Sequence, residues 1–67
     1  MSVSPTRLKE LAREYLSTKG QNDIANHLNA NEEGLAQRCL LQGIGQLNQK
    51  GEIDPQEAQR VYRELGL

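Results

Sequence analysis

Between Asn22 and Leu35 an apolar rhythm stops and restarts within a few residues. Ile24, Ala25 and Leu28 recur at the three- and four-residue spacing of one helix face. Asn29, Ala30 and Asn31 then interrupt the pattern, and asparagine both tolerates left-handed backbone and caps helices. The rhythm resumes at Leu35. A chain written this way folds as two helices meeting at a tight bend. No segment alternates with the period of two that a half-buried strand requires, so the fold class is all-α.

Length limits what else can be built. Sixty-seven residues make one domain, and 1–67 reads as a single small helical domain. A chain this short buries a modest share of its surface, so its stability is marginal unless something supplements the core. Cys39 is the only cysteine, which excludes an internal disulfide. With His27 the only histidine, no ligand pair stands at zinc-site spacing, and neither metal nor cofactor is expected. The remaining supplement is a partner chain, so a homodimer is expected. Met1-Ser-Val-Ser-Pro5 lacks a basic segment followed by an apolar run, and no signal peptide is expected. No stretch approaches the roughly 20 apolar residues that cross a bilayer. A lone thiol fits a reducing cytoplasm, which is the expected location.

Periodicity and caps divide the chain into four helices. The first starts near Ser4, with Pro5 at the first helical position and Val3 placed to staple onto Leu8. Leu8, Leu11, Ala12, Tyr15 and Leu16 form its buried stripe, and Gly20 ends it or opens the next element. The second runs from about Gln21 to Leu28. The third runs from about Glu32 to Gln49, with Asn31 as N-cap and Glu32 and Glu33 facing the positive end of the helix dipole. Leu35, Ala36, Cys39, Leu40, Ile44 and Leu47 fill its inward face. Leu41 falls outside that face, on a narrow stripe with Gly34 and Gly45. Each glycine in a helix interior costs about 1 kcal/mol relative to alanine. Two explanations are open: close approach of another helix along Gly34, Leu41 and Gly45, as from a twin subunit, or a bend or break at Gly43 and Gly45. Gly51 closes the third helix, and Asp54-Pro55-Gln56-Glu57 opens the fourth in the manner of a capping box. Ala58, Val61, Tyr62 and Leu65 make its inward stripe.

Charge divides unevenly along these helices. Residues 1–20 carry a net +2, residues 21–45 a net −2 and residues 46–67 a net −1. A protein that grips phosphates usually presents a basic face, because counterion release supplies most of its affinity. Here only the first helix leans basic. Converging catalytic groups are not evident. His27 reads as a boundary histidine and Cys39 as a small buried hydrophobe. Gly43-Ile-Gly45 lacks the strand-then-loop setting of a phosphate cradle. Gln46 to Glu57 follows a calcium loop only superficially, since Lys50 would put a cation inside the cage. The chain is expected not to be an enzyme.

Residues 21–42 resemble the helix-turn-helix of bacterial transcription regulators. Ile24, Ala25 and Leu28 match the inward positions of its first helix, Ala30 the apolar residue of its turn, and Leu35 the first inward residue of its recognition helix. The resemblance implies that Asn31, Gln37, Arg38 and Gln42 face duplex DNA, and that Arg7, Lys9, Arg13 and Lys19 touch phosphates. This sequence departs from the pattern at three places. Asn29 stands where glycine is usual, Arg38 replaces an apolar position, and Glu32 and Glu33 would approach the phosphate backbone. Residues 44–65 are similar to short C-terminal (SHOCT-type) helical hairpins, through Ile44, Leu47, Gly51, Ile53, Asp54, Glu57, Ala58, Tyr62 and Leu65. That likeness implies oligomerisation or protein interaction, although Ala58 replaces an aromatic and the terminal lysine is missing. The expectation is a compact four-helix domain with a helix-turn-helix-like corner, acting as a small DNA-binding regulator. The alternative is an interaction adaptor or oligomerisation module that binds no nucleic acid.

Overall fold

A computed structural model describes residues 3–66 and contains four α-helices: α1 (Pro5–Tyr15), α2 (Thr18–Asn29), α3 (Glu33–Gln49) and α4 (Pro55–Glu64). Among the described residues there is no strand. The molecule measures 31 × 26 × 15 Å. The central helix keeps one side uncovered, where Gly34, Leu35, Arg38, Gln42 and Gln46 are exposed.

Helix α3 is that central element, and α1, α2 and α4 all pack on it. Its Ala36, Leu40 and Ile44 are wholly buried, at i, i+4 and i+8. Around them close Leu8, Leu11 and Ala12 of α1, Ile24 of α2, and Ala58, Val61 and Leu65 beside α3's other flank. Among the described residues no polar or charged side chain is buried in the core. With no phenylalanine or tryptophan in the sequence, aliphatic side chains fill it almost alone.

The helix boundaries follow local chemistry. The Ser4 hydroxyl accepts from the Arg7 backbone N–H at 3.2 Å, with Pro5 at the first position, as the sequence implied. Helix α2 starts earlier than expected, at Thr18 instead of Gln21. Ser17 is its N-cap, accepting from the Gly20 backbone N–H at 3.4 Å. Gly20 therefore lies inside the first turn of α2 and does not separate it from α1. The bend between the two helices needs only extended backbone at Leu16 and Ser17. The Gln21 side chain donates to the Leu16 carbonyl at 3.0 Å, satisfying an acceptor that α1 leaves open.

The corner between α2 and α3 exists, and Asn31 makes it by a different route from the one expected. Asn31 is not the N-cap of α3. It adopts left-handed backbone, with φ 64°, and terminates α2. The Asn31 N–H donates to the Leu28 carbonyl at 3.1 Å and the Glu32 N–H to the His27 carbonyl at 2.8 Å. That pair of bonds is the Schellman arrangement. Glu32 takes the N-cap position of α3 without a side-chain bond to the helix; its carboxylate instead stands 3.3 Å from His27 Nδ1. The same closure recurs after α3. There Gly51 at φ 71° donates to Asn48, and Glu52 to Leu47.

Two expectations about α3 are reversed. Leu35, assigned to the inward face, is exposed at 43%. Leu41, assigned outside it, is partly buried against the core. The reason is α4, which docks on the Leu41 side and rotates the covered arc of α3 toward itself. The helix also runs unbroken through Gly43 and Gly45. At Gly43 the close approach is internal. A Cβ there would fall 2.5 Å from Leu16 Cδ2, so the missing side chain lets the α1–α2 elbow settle onto α3. Asp54 caps α4 through the Gln56 N–H at 2.9 Å. The capping box stays half-formed, because the Glu57 carboxylate is turned to Tyr15.

Positive φ at Asn31 sets an expectation for substitution. Asn31→Ala should lower unfolding free energy by about 1 kcal/mol, since left-handed backbone disfavours a Cβ without a polar group. Asn31→Gly should hold or raise stability. Urea unfolding monitored by circular dichroism distinguishes them, and equal stability of both variants would contradict the assignment.

Candidate interaction surface around the third helix

The residues singled out for DNA contact do not converge on one face. Gln37 is half-buried, and its side-chain amide donates to the Leu65 carbonyl at 2.8 Å. It closes the C-terminal end of α4 and does not point outward. Arg7 is engaged as well. Its Nε and Nη2 fork onto the Glu64 carboxylate, the Nη2 contact at 3.0 Å, and Nη1 reaches Glu10 at 3.4 Å. A two-pronged guanidinium–carboxylate pair fixes the side chain in orientation as well as charge. Arg38, Gln42, Asn31, Lys9, Arg13 and Lys19 are exposed. Asn31 is committed by its backbone to ending α2. Sequence reasoning missed the two engagements because Arg7 and Glu64, like Gln37 and Leu65, meet only through the tertiary fold.

With Arg7 bound to Glu64, the basic lean of the first helix weakens. Lys9 and Arg13 remain beside Glu10 and Glu14 on the same helix. At the corner, Glu32 and Glu33 are exposed next to the start of α3. The outward side of α3 thus carries one cation, Arg38, among Gly34, Leu35, Gln42 and Gln46. Gly34 has open space where a side chain would stand. Of the expected dimer stripe only Gly34 is free: Leu41 is packed against the core, and a Cβ on Gly45 would lie 3.7 Å from the Tyr62 hydroxyl of α4.

Beside this ridge a groove of about 490 Å³ opens between the α1–α2 elbow and the C-terminal half of α3. Gln42 forms part of its wall. Lys19 and Lys50 line it together with Asp23 and Glu52, so its formal charges balance. Cys39 also lines it, half-buried. Burial, and then the charge of Asp23, push the Cys39 thiol up from its ordinary range. A disfavoured thiolate is a poor nucleophile and a poor metal ligand. Among the described residues, no three or more His, Cys, Asp or Glu side chains stand together as a metal site. No helix of the described residues is long and apolar enough to cross a membrane.

A second long-range pair joins α1 to α4. The Tyr15 hydroxyl donates to the Glu57 carboxylate at 2.6 Å, and Arg60 approaches that carboxylate at 3.6 Å. The bond to Glu57, then burial, pushes the Tyr15 phenol up to about 12. The Arg7 fork holds the Glu64 carboxyl below its usual range.

No protein-family model, curated protein sequence or solved structure matches the chain.

These two pairs act on stability at opposite ends of the pH scale. The Tyr15 contribution is complete below the ordinary phenol value of about 10 and is lost as pH rises through about 12. The Glu64 contribution is present above the ordinary carboxylate value of about 4.3 and is lost as pH falls through its lowered one. An ultraviolet titration of the tyrosines should show Tyr15 ionising late, and Glu57→Gln should bring it back toward about 10. A titration unchanged by Glu57→Gln would refute the bond.

Proposed function

We propose that the domain is a protein-interaction module that associates with a second copy of itself through the outward side of α3. One observation carries this reading. The ridge holds the only large apolar side chain left exposed among the described residues, Leu35, with Gly34 open beside it and a single cation nearby. An exposed leucine alone is ordinary. Its placement on the one uncovered side of the central helix, in a chain too short for a large core, supports self-association. An isologous contact sets the same patch on both copies, and the glycine permits close approach there. The balanced charge of the groove and the exposed acids at the corner favour a protein surface over phosphates.

A second reading, the bacterial helix-turn-helix regulator, keeps one specific observation in its favour. The chain breaks at Asn31, and α3 then presents Arg38 and Gln42 to solvent. Arginine to guanine and glutamine to adenine are common base contacts.

Sedimentation equilibrium separates the readings. The native chain should show a concentration-dependent dimer, and Leu35→Glu should give a folded monomer. A monomer at every concentration for the native chain would end the self-association proposal. Fluorescence anisotropy with random duplex DNA at low salt should show no binding. Salt-sensitive binding abolished by Arg38→Ala would favour the regulator instead. Leu41→Glu should behave unlike Leu35→Glu, losing about 2 kcal/mol of stability because the charge enters a partly buried site.

A further inference from the structure

The four helices are not equally tied into the fold. Helices α1, α2 and α3 approach one another pairwise at backbone distance. Helix α4 does so with α3 alone, and no Cα of α1 or α2 comes within 8 Å of a Cα of α4. What joins α4 to α1 is a pair of side-chain ties, one near each end of the helix. Arg7 forks onto Glu64, and Tyr15 donates to Glu57 at 2.6 Å. Their order along the two helices sets α1 and α4 antiparallel, with the ties spanning the gap between them. The charged groups at that gap are Arg7, Glu10 and Glu14 of α1, and Glu57, Arg60 and Glu64 of α4.

The apolar hold on α4 is small. Buried there are one alanine, Ala58, one valine, Val61, and one leucine just past the helix, Leu65. Of the six buried leucine and isoleucine side chains among the described residues, Leu8, Leu11, Ile24, Leu40 and Ile44 belong to α1, α2 and α3, and Leu65 alone to the α4 end. Helix α4 is 10 residues long, below the roughly 12–15 at which an isolated helix holds together in water. It is therefore helical only while docked, and the Gly51–Asp54 turn is the natural point of separation.

We infer that α4 is a releasable strap: it undocks as one unit about Gly51–Asp54 while α1, α2 and α3 stay folded, and it thereby uncovers the Leu41 and Gly45 side of α3. That side is the one α4 covers in the closed fold, through Tyr62 and the packing of Leu41. Local opening of an element with few buried contacts is a general property of small domains. Here the ties to α1 set how often it happens. The opening does not depend on the self-association through Leu35.

Native-state hydrogen exchange on the full chain tests this. The amides from Ala58 to Leu65 should share one opening equilibrium, more populated than that of the α2 and α3 amides. Arg7→Ala and Tyr15→Phe should each speed α4 exchange by about fivefold, the equivalent of one lost surface tie, and leave α2 and α3 unchanged. Lys9→Ala, at an exposed position on α1, should leave every helix unchanged. If the α4 amides exchange at the level of α2 and α3, or fray singly from the end, the strap does not exist. Equal acceleration of all four helices in both variants would likewise overturn it.

Discussion

Burial of one continuous stripe on α3 is the constraint on which the other elements depend. Ala36, Leu40 and Ile44 have no exposed surface, and every remaining helix is positioned by what it places against them. Small residues set the spacing. Gly43 lets Leu16 and the α1–α2 elbow come close, and Ala58 lets α4 lie against the other flank. A core without large aromatics has to be made by such close approach, because aliphatic side chains fill space only when backbones are near.

The same arrangement decides what is left for partners. Helices α1, α2 and α4 cover the central helix and leave its remaining side to solvent. Leu35 and Arg38 stand there, exposed, because no other helix packs over that side. Part of the cationic charge is neutralised within the fold. Arg7 closes α1 onto Glu64, and the groove beside α3 balances two lysines with two acids. The surface that results is mixed in charge, with Leu35 its one exposed large apolar side chain among the described residues.

Much of the fold was legible in the order of residue types. Ser4 with Pro5 and Asp54 with Pro55 mark two helix starts, because a short polar cap and a pre-set φ act over three or four residues. The interruption at residues 29–31 marks the corner for the same reason. Less was legible where two local signals compete. Gly20 reads as punctuation, yet Ser17 caps the helix before it and carries the glycine into the first turn. Asn31 suits either a cap or left-handed backbone, and the chain uses the second.

The sequence by itself determined that the chain is helical, roughly where its three bends fall, and which stripe of α1, α2 and α4 turns inward, since those follow from periodicity and from caps that act locally. The tertiary structure alone decided which flank of α3 is covered, exchanging the expected places of Leu35 and Leu41. It also decided which polar groups remain available, by joining Arg7 to Glu64, Tyr15 to Glu57 and Gln37 to Leu65 across the fold. The physical reason is range: hydrogen bonds and helix faces repeat within a few residues, whereas the docking side of α4 depends on contacts between segments far apart in the chain.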